Sequence, residues 1–94
     1  MFVYILECKD QSFYTGVTNN IQRRLEEHES GLNPSCYTFS RRPLTLVYQQ
    51  MFNAPEKAIQ FEKQLKKWSR KKKLALIKGH YEELPLLSKK HFDQ

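Results

Sequence analysis

The sequence predicts an α/β fold in which a small, mainly antiparallel sheet of three strands is flanked by helices, in the order β1-β2-α1-β3-α2-α3. Three observations predict it. Two apolar, aromatic-rich runs open the chain, a third β-forming run follows a helical segment, and the second half has helical periodicity. A chain of 94 residues has room for one domain with one modest core.

The first two runs predict a β-hairpin. Residues 2–8 and 13–18 are rich in β-formers, and residues 9–12 between them are polar. The length of the connection decides which side chains share a face of the sheet. A four-residue loop would place Tyr4 and Tyr14 on opposite faces, whereas a loop of three or five residues, or a bulge, would place both on one face. If the two tyrosines share a site, the odd loop or the bulge is required.

A helix is predicted after the hairpin. Asn19 or Asn20 is expected to cap it, and it should run to about Ser30 with Gly31 as its C-terminal stop. Its apolar stripe is predicted to consist of Ile21, Leu25 and His28.

Arg24 lies at the border of that stripe, whereas Arg23, Glu26 and Glu27 are predicted to point away. Arg23 is explained by an exposed ion pair with Glu27, four residues on. A guanidinium beside a packed face needs an anionic partner. Arg24 is therefore expected to meet either a carboxylate of the protein or a bound phosphate.

The middle of the chain is predicted to be a long loop followed by the third strand. Residues 31–43 are polar, with two prolines and the paired Arg41 and Arg42, and loops of this length are often functional. Residues 44–52 have the composition of a strand.

The second helix is expected to start with Asn53 as its cap and Pro55 in its first turn. Steps of four and three residues predict its buried stripe, which consists of Ala54, Ala58, Phe61, Leu65 and Trp68. Glu62 lies at the edge of that stripe among lysines. Most glutamates in such a position only form surface ion pairs, and a metal-binding role is the alternative.

A short third helix is predicted from Ser69, as its cap, through Ile77, with Leu74 and Ile77 packed and Gly79 as its end. We expect residues 1–80 to form the domain and residues 81–94 to be a C-terminal tail that packs on it in part.

Positive charge is concentrated in one segment. The chain carries a formal net charge of +6, and residues 57–78 contain nine basic residues and one acidic residue, Glu62. The segments before and after it are each slightly acidic. Such a patch is what a phosphate backbone would meet, although a solvated helix face gives the same pattern.

The remaining composition excludes several classes of protein. Cys8 and Cys36 are the only cysteines and form no CxxC pair, so two reduced thiols are expected and a zinc site is disfavoured. No segment approaches the ~20 apolar residues of a membrane span, and the N-terminal residues lack the features of a secretion signal. We expect a cytoplasmic monomer or weak dimer with no membrane association and no small-molecule cofactor.

Five positions of the first half carry a family resemblance. Tyr4 stands in Phe-Val-Tyr, Tyr14 and Gly16 stand in Tyr-Thr-Gly, and Arg24 and His28 follow on the first helix. Motifs and spacing resemble the GIY-YIG nuclease superfamily, in particular its small stand-alone members, over roughly residues 2–78. The motifs are degenerate, since Gly-Ile-Tyr is Phe-Val-Tyr here and Tyr-Ile-Gly is Tyr-Thr-Gly.

The resemblance implies a site that hydrolyses phosphodiester bonds with one divalent ion. Arg24 would neutralise the scissile phosphate, and Glu62 would hold Mg²⁺ or Mn²⁺ at the leaving oxygen. Tyr4 or Tyr14, helped by His28, would orient or deprotonate the attacking water. An unperturbed phenol, with a pKa near ~10, needs such help at neutral pH.

Two further positions bear on the resemblance. Gly16 is expected to let substrate or Arg24 approach the backbone closely, although a simple strand-end glycine is the alternative. Val17 stands where some relatives carry a lysine, so a lysine that assists the base is not expected from this position.

These inferences predict a metal-dependent endonuclease acting on DNA, structure-directed or weakly specific, as in repair or recombination. The residues expected to grip nucleic acid are Arg41, Arg42, Lys63, Lys66, Lys67, Arg70, Lys71, Lys72 and Lys73. One alternative is a non-catalytic nucleic-acid-binding module on the same scaffold. Another is an interaction protein whose basic helix meets an acidic partner.

Overall fold

A computed structural model describes residues 1–31 and 36–79. Its elements, in chain order, are β1 (Phe2–Glu7), β2 (Phe13–Thr18), α1 (Ile21–Ser30), a 3-10 turn (Phe39–Arg41), β3 (Thr45–Met51), α2 (Pro55–Lys67) and α3 (Arg70–Lys78). The strands form one antiparallel sheet in the order β2-β1-β3. This confirms the predicted fold class and element order. The proposed boundary at residue 80 and the packing of residues 81–94 lie outside the described residues.

The hairpin loop has the odd length that a shared tyrosine site requires. The Cys8 amide donates to the Ser12 carbonyl at 2.9 Å, and the Gln11 amide donates back to the Cys8 carbonyl at 2.8 Å. Only residues 9–11 remain in the loop, and Gln11 adopts a left-handed conformation with φ of 69°. A left-handed third residue is typical of three-residue hairpin loops, which begin with a type I turn.

The register of β1 and β2 follows from this loop. Tyr4 lies opposite Gly16, and Leu6 lies opposite Tyr14. Because side chains alternate along a strand and directly opposed residues point the same way, Tyr4, Gly16 and Tyr14 share one face. The two tyrosines of the predicted site therefore project to the same side of the sheet.

Helices cover both faces of the sheet. Val3 and Ile5 point to the face opposite Tyr4, where they form the core with Ala58, Leu65 and Leu76 from α2 and α3. The Tyr4 face is covered by α1, through hydrogen bonds described below. The main apolar core and the cluster around Tyr4 thus lie on opposite sides of the central strand.

The ends of α1 lie where the sequence predicts them. The Asn20 side chain accepts a hydrogen bond from the Arg23 amide, and Gly31 follows the helix in a left-handed conformation.

The prediction that Asn53 caps α2 is wrong. The N-cap is Ala54, which makes no side-chain cap bond, and Pro55 is the first helical residue. The physical reason is that a residue before proline is confined to extended backbone, which is the conformation of an N-cap. The residue immediately before Pro55 therefore takes that position whatever its side chain.

The limits of α3 are close to the prediction, and its packing is predicted in part. The Ser69 side chain accepts from the Lys72 amide, and Gly79 ends the helix in a left-handed conformation. Ile77 is half-buried and packs against the core as predicted, but the fully buried residues are Ala75 and Leu76, and Leu74 is half-buried. Residues 74–77 are all apolar and surround the helix, so periodicity alone could not select the face. None of the helices in the described ranges is long and apolar enough to cross a membrane.

Candidate active site

The Tyr4 phenol lies at the centre of a buried polar cluster. Its ring is 1% exposed, and its hydroxyl oxygen accepts a hydrogen bond from Arg24 Nε at 3.3 Å. The same oxygen lies 3.0 Å from His28 Nε2. Burial raises the pKa of Tyr4 to about 12, although the Arg24 hydrogen bond opposes this shift. Tyr4 is therefore a protonated phenol at neutral pH.

Gly16 provides the space that the Tyr4 ring occupies. A Cβ at this position would lie 2.5 Å from the Tyr4 hydroxyl oxygen and 2.6 Å from Cζ, distances that real Cβ contacts do not show. All three nearest atoms belong to Tyr4, so the close approach expected of Arg24 is made by Tyr4 instead. The approach of substrate to Gly16 stays a prediction.

Arg24 has a carboxylate of the protein as its partner. Its Nη1 lies 2.9 Å from Oε1 of Glu27, and the prediction that Glu27 points away is wrong. Residues three apart on a helix are neighbours, and both side chains are long. The Glu27 carboxylate can therefore reach the Arg24 guanidinium even though a helical wheel places the two Cβ atoms in different directions. The predicted pair of Glu27 with Arg23 is present at a longer 3.9 Å. Hydrogen bonds to Tyr4 first, and then to Glu27 and Tyr14, raise the pKa of Arg24 against the effect of burial.

His28 is buried between Tyr4 and the loop that follows α1. It is 4% exposed, and its Nδ1 lies 2.8 Å from the hydroxyl oxygen of Thr38, which is itself 1% exposed. Burial, followed by the charge of Arg24, lowers the pKa of His28, and Glu27 opposes the shift. The imidazole is therefore neutral at pH 7. Thr38 and its neighbour Tyr37 were not among the predicted site residues, and the length of the loop is the sequence signal that pointed to this segment.

Tyr14 connects this cluster to the surface. Its ring centroid lies 5.1 Å from that of His28 and 6.3 Å from that of Tyr4. On its other side, the Tyr37 ring stacks on it at 6.2 Å, and the guanidinium of Arg41 lies 3.9 Å above Tyr37. Tyr37 is 44% exposed, so the stack ends in a solvent-facing aromatic ring.

A groove of about 260 Å³ runs beside Tyr14, lined by Phe13, Tyr14, Thr15, Tyr37 and Lys66. Three of these residues are consecutive in β2 and alternate between the faces of the sheet, so the groove follows the free edge of that strand. Lys66 comes from α2, which packs on the opposite face. Both sides of the sheet therefore contribute to the groove.

Glu62 is tied to this groove by Lys66. The Lys66 Nζ lies 2.7 Å from Oε2 of Glu62, whose side chain is only 12% exposed. The hydrogen bond to Glu62 raises the pKa of Lys66. Glu62 therefore forms the ion pair that is common for glutamates in such a position. Glu62 does not itself line the groove but is connected to it by Lys66, and within the described residues the carboxylate partner of Arg24 is Glu27.

The predicted divalent ion would have one protein carboxylate and otherwise water as its ligands. Within the described residues there is no group of three or more histidine, cysteine, aspartate or glutamate side chains that could hold a metal. A single carboxylate nevertheless suits Mg²⁺, which keeps most of its waters. Glu62 is a carboxylate of this kind, and one of its oxygens is paired with the Lys66 ammonium. Metal binding at Glu62 stays a prediction.

Arg41 and Arg42 are both engaged within the protein. Arg41 pairs with Asp10 at 3.2 Å and donates to the Tyr37 carbonyl at 2.8 Å. Arg42 donates to the carbonyls of Phe39 and Glu29, which ties the loop to the end of α1. These contacts give both arginines a structural role, and their contact with nucleic acid stays a prediction.

The basic residues of α2 and α3 differ in accessibility. The exposed ones are Lys57, Lys63, Lys66, Lys67, Arg70, Lys71 and Lys78. Arg70 donates to the Gln11 carbonyl and lies over the Phe13 ring, so it also braces the hairpin. Lys72 and Lys73 are half-buried: the Lys72 ammonium lies 4.1 Å from the centre of the Trp68 ring, and burial lowers the pKa of Lys73. The two cysteines are free thiols, Cys8 buried and Cys36 half-buried.

A three-stranded α/β domain that gathers two tyrosines, an arginine and a histidine on one sheet face has the arrangement of a nuclease-type catalytic domain. Comparison with known proteins then gives the family. The model described as the GIY-YIG catalytic domain matches residues 1–75, and the chain belongs to this family, as its motifs predict. Membership implies interaction with nucleic acid in general.

The relatives are small single-domain proteins. The chain is 48% identical over 83 residues to the UPF0213 protein of Syntrophus aciditrophicus (strain SB), covering 88% of this chain and 95% of the relative. It is 45% identical to a UPF0213 protein of Staphylococcus haemolyticus, covering 81% and 92%. The solution NMR structure of a UPF0213 protein from Bacillus halodurans is similar, with 44% identity, a TM-score of 0.54 and coverage of 82% and 81%. These relatives confirm the resemblance to small stand-alone members.

Proposed function

We propose that the protein is a metal-dependent endonuclease that hydrolyses phosphodiester bonds in DNA with structure-directed or weak sequence specificity. The observation that carries the proposal is the single face on which a neutral histidine, an arginine and two tyrosines meet beside an open groove. Phosphodiester hydrolysis needs a proton acceptor, positive charge at the phosphate and stabilisation of the leaving oxygen. The chain has a candidate for each requirement.

Exposure separates the roles of the two tyrosines. Tyr14 is half-buried and lines the groove, so its hydroxyl is the one available to an attacking water. Tyr4 is 1% exposed and bonded to Arg24 and His28, which suits it to orient those two side chains. We therefore assign the orientation or deprotonation of water to Tyr14, and the support of the guanidinium to Tyr4.

Arg24 is the candidate for the scissile phosphate. Its Nη1 contacts Glu27 and its Nε contacts Tyr4, and both partners fix the plane of the guanidinium. A guanidinium fixed in this way pays little additional conformational entropy when it binds a phosphate oxygen with its remaining N–H groups. The side chain is 37% exposed, so it is reachable from solvent.

Glu62 is the candidate for the metal. A divalent ion bound there would supply positive charge near the leaving oxygen of the phosphodiester. Lys66 holds the same carboxylate and lines the groove beside Tyr14, so it is placed to keep the carboxylate oriented and to contribute positive charge of its own.

The proposal is tested by incubating purified protein with forked, flapped, single-stranded and duplex DNA in Mg²⁺ or Mn²⁺ at low salt. We expect nicking or trimming that falls by about a hundredfold or more in Arg24→Ala and Glu62→Gln. Arg23→Ala is the matched control, because Arg23 is the preceding residue of α1 with a side chain 60% exposed, and it should retain activity. Absence of cleavage in the wild-type protein, or equal loss in Arg24→Ala and Arg23→Ala, would overturn the proposal.

A non-catalytic nucleic-acid-binding module is the second candidate. The observation that favours it is the short contact between Lys66 and Glu62, which occupies the carboxylate proposed to hold the metal. This function predicts salt-sensitive binding that survives Glu62→Gln and falls when the lysines at 71–73 are neutralised. Binding measured beside the cleavage assay therefore separates the two candidates.

A further inference from the structure

A chain of hydrogen bonds runs from the loop through the sheet face to α1. Thr38 Oγ1 lies 2.8 Å from His28 Nδ1, His28 Nε2 lies 3.0 Å from the Tyr4 hydroxyl oxygen, and that oxygen lies 3.3 Å from Arg24 Nε. The first three residues are buried, with exposures of 1%, 4% and 1%. In such surroundings an unpaired donor or acceptor is costly, so the direction of each bond is constrained.

The direction can be read from the arginine end. A guanidinium only donates, so the Tyr4 oxygen must accept from Arg24. The phenol hydrogen then needs an acceptor, and within the described part of the chain His28 Nε2 is the one at hydrogen-bond distance. His28 Nε2 therefore carries no hydrogen in the neutral imidazole. Nδ1 carries it and donates to the Thr38 oxygen, whose own hydrogen can point at the Cys36 sulfur 3.4 Å away.

We infer that Thr38 is a positioning residue: by accepting the Nδ1 hydrogen it stabilises the tautomer of His28 whose Nε2 accepts from Tyr4, and through Tyr4 it supports the orientation of the Arg24 guanidinium. The opposite tautomer would direct N–H groups from both His28 and Arg24 at the Tyr4 oxygen and leave the phenol hydrogen without that acceptor. The consequence for catalysis rests on the proposed function, in which Arg24 meets the phosphate. The tautomer itself does not depend on that function.

The first test is the tautomer of His28, read from the ¹⁵N shifts of the imidazole nitrogens by NMR at neutral pH, with His28→Gln to assign the signals. We expect hydrogen on Nδ1 in the wild type and in Thr38→Ser, which keeps the hydroxyl. Thr38→Val keeps the shape but removes the hydroxyl, which leaves the Cys36 sulfur, 3.9 Å from Nδ1, as the acceptor within reach. The Arg24 and Tyr4 end is unchanged, so the tautomer with hydrogen on Nε2 should gain population without replacing the other. A wild-type protein with hydrogen on Nε2, or a Thr38→Val variant whose tautomer populations are unchanged, would overturn the inference.

The second test is the single-turnover cleavage rate. Thr38→Val should lower it by about tenfold, and Thr38→Ser should stay within about threefold of the wild type. A merely structural role would lower the melting temperature of Thr38→Val without changing the tautomer. If the wild type cleaves no nucleic acid, the proposed function fails, whereas the NMR result still decides the role of Thr38.

Discussion

Replacing Gly16 with alanine tests how tightly the Tyr4 ring is held against β2. The new Cβ would lie 2.5 Å from the Tyr4 hydroxyl oxygen and 2.6 Å from Cζ. Gly16 is not among the residues with positive φ, so the backbone accepts alanine and the whole cost is steric. The ring is rigid, 1% exposed and bonded to Arg24 and His28, so it cannot move without breaking those bonds.

The expected cost has two parts. Overpacking of a buried site costs about 1–3 kcal/mol, and the loss of two buried hydrogen bonds adds roughly 0.5–1.5 kcal/mol for each. The free energy of unfolding should therefore fall by about 2 kcal/mol or more. For a domain of this size, that corresponds to a fall in melting temperature of at least about 8 °C. Urea denaturation followed by circular dichroism measures the free energy directly.

A double-mutant cycle with Tyr4→Leu isolates the contact. Leucine has neither the hydroxyl nor Cζ of the tyrosine, so the alanine at Gly16 should cost at least about 1 kcal/mol less in that background. Gly79→Ala is the control, because a Cβ there meets nothing within 4 Å and its cost comes only from the φ of 77°. That cost should be the same in both backgrounds. If Gly16→Ala changes stability by less than about 0.5 kcal/mol, or costs the same in both backgrounds, the reasoning is refuted.

Three further predictions concern the groove, the histidine and the basic helices. Lys66→Met removes the ammonium that pairs with Glu62. Because such a half-exposed pair is worth about 0.5–1 kcal/mol, the affinity for Mn²⁺, measured by electron paramagnetic resonance, should rise about twofold to fivefold. The control Lys63→Met should leave the affinity unchanged. Burial lowers the pKa of His28, so as the pH falls the unfolded chain binds the His28 proton at a higher pH than the folded protein does. The free energy of unfolding should therefore fall as the pH drops below about 6.5. In urea titrations, His28→Gln should lack the share of this fall that comes from His28. Lys71→Ala should reduce the salt dependence of DNA binding by about one unit of slope, whereas the half-buried Lys73 should contribute less.

The parts of the fold set by local rules could be predicted from the sequence. The helix caps at Asn20 and Ser69 and the glycine stops follow from the backbone groups that a helix leaves unpaired. The pairing of Tyr4 and Tyr14 on one face could be stated only as a condition. The condition was a hairpin loop of odd length or a bulge. The three-residue loop that satisfies it requires Gln11 to adopt a left-handed conformation, which the polar sequence of the loop neither requires nor excludes.

The contacts of the site could be predicted less well, because they depend on side-chain reach and on loop closure. A helical wheel gives the direction of the Cβ of Glu27, but the carboxylate lies several bonds further on and reaches Arg24. Thr38 lies in a segment without periodicity, and nothing local to it indicates that its hydroxyl meets His28, ten residues earlier. Residues of this kind become visible only when the tertiary structure brings separate segments together.

The position of β2 at the edge of the sheet explains how two helices on opposite faces can contribute to one site. Each side chain of the central strand points to one face or the other, and Tyr4 meets Arg24 and His28 on the α1 face. An edge strand has one side without a partner strand, so a side chain from α2 can pass around it. Lys66 of α2 accordingly lines the same groove as Tyr14, which lies on the α1 face. In the proposed function, Tyr14 is therefore the residue at which the Arg24 and His28 cluster and the Glu62 carboxylate would act on the same phosphodiester, and the same residues placed on the central strand would be separated by the thickness of the sheet.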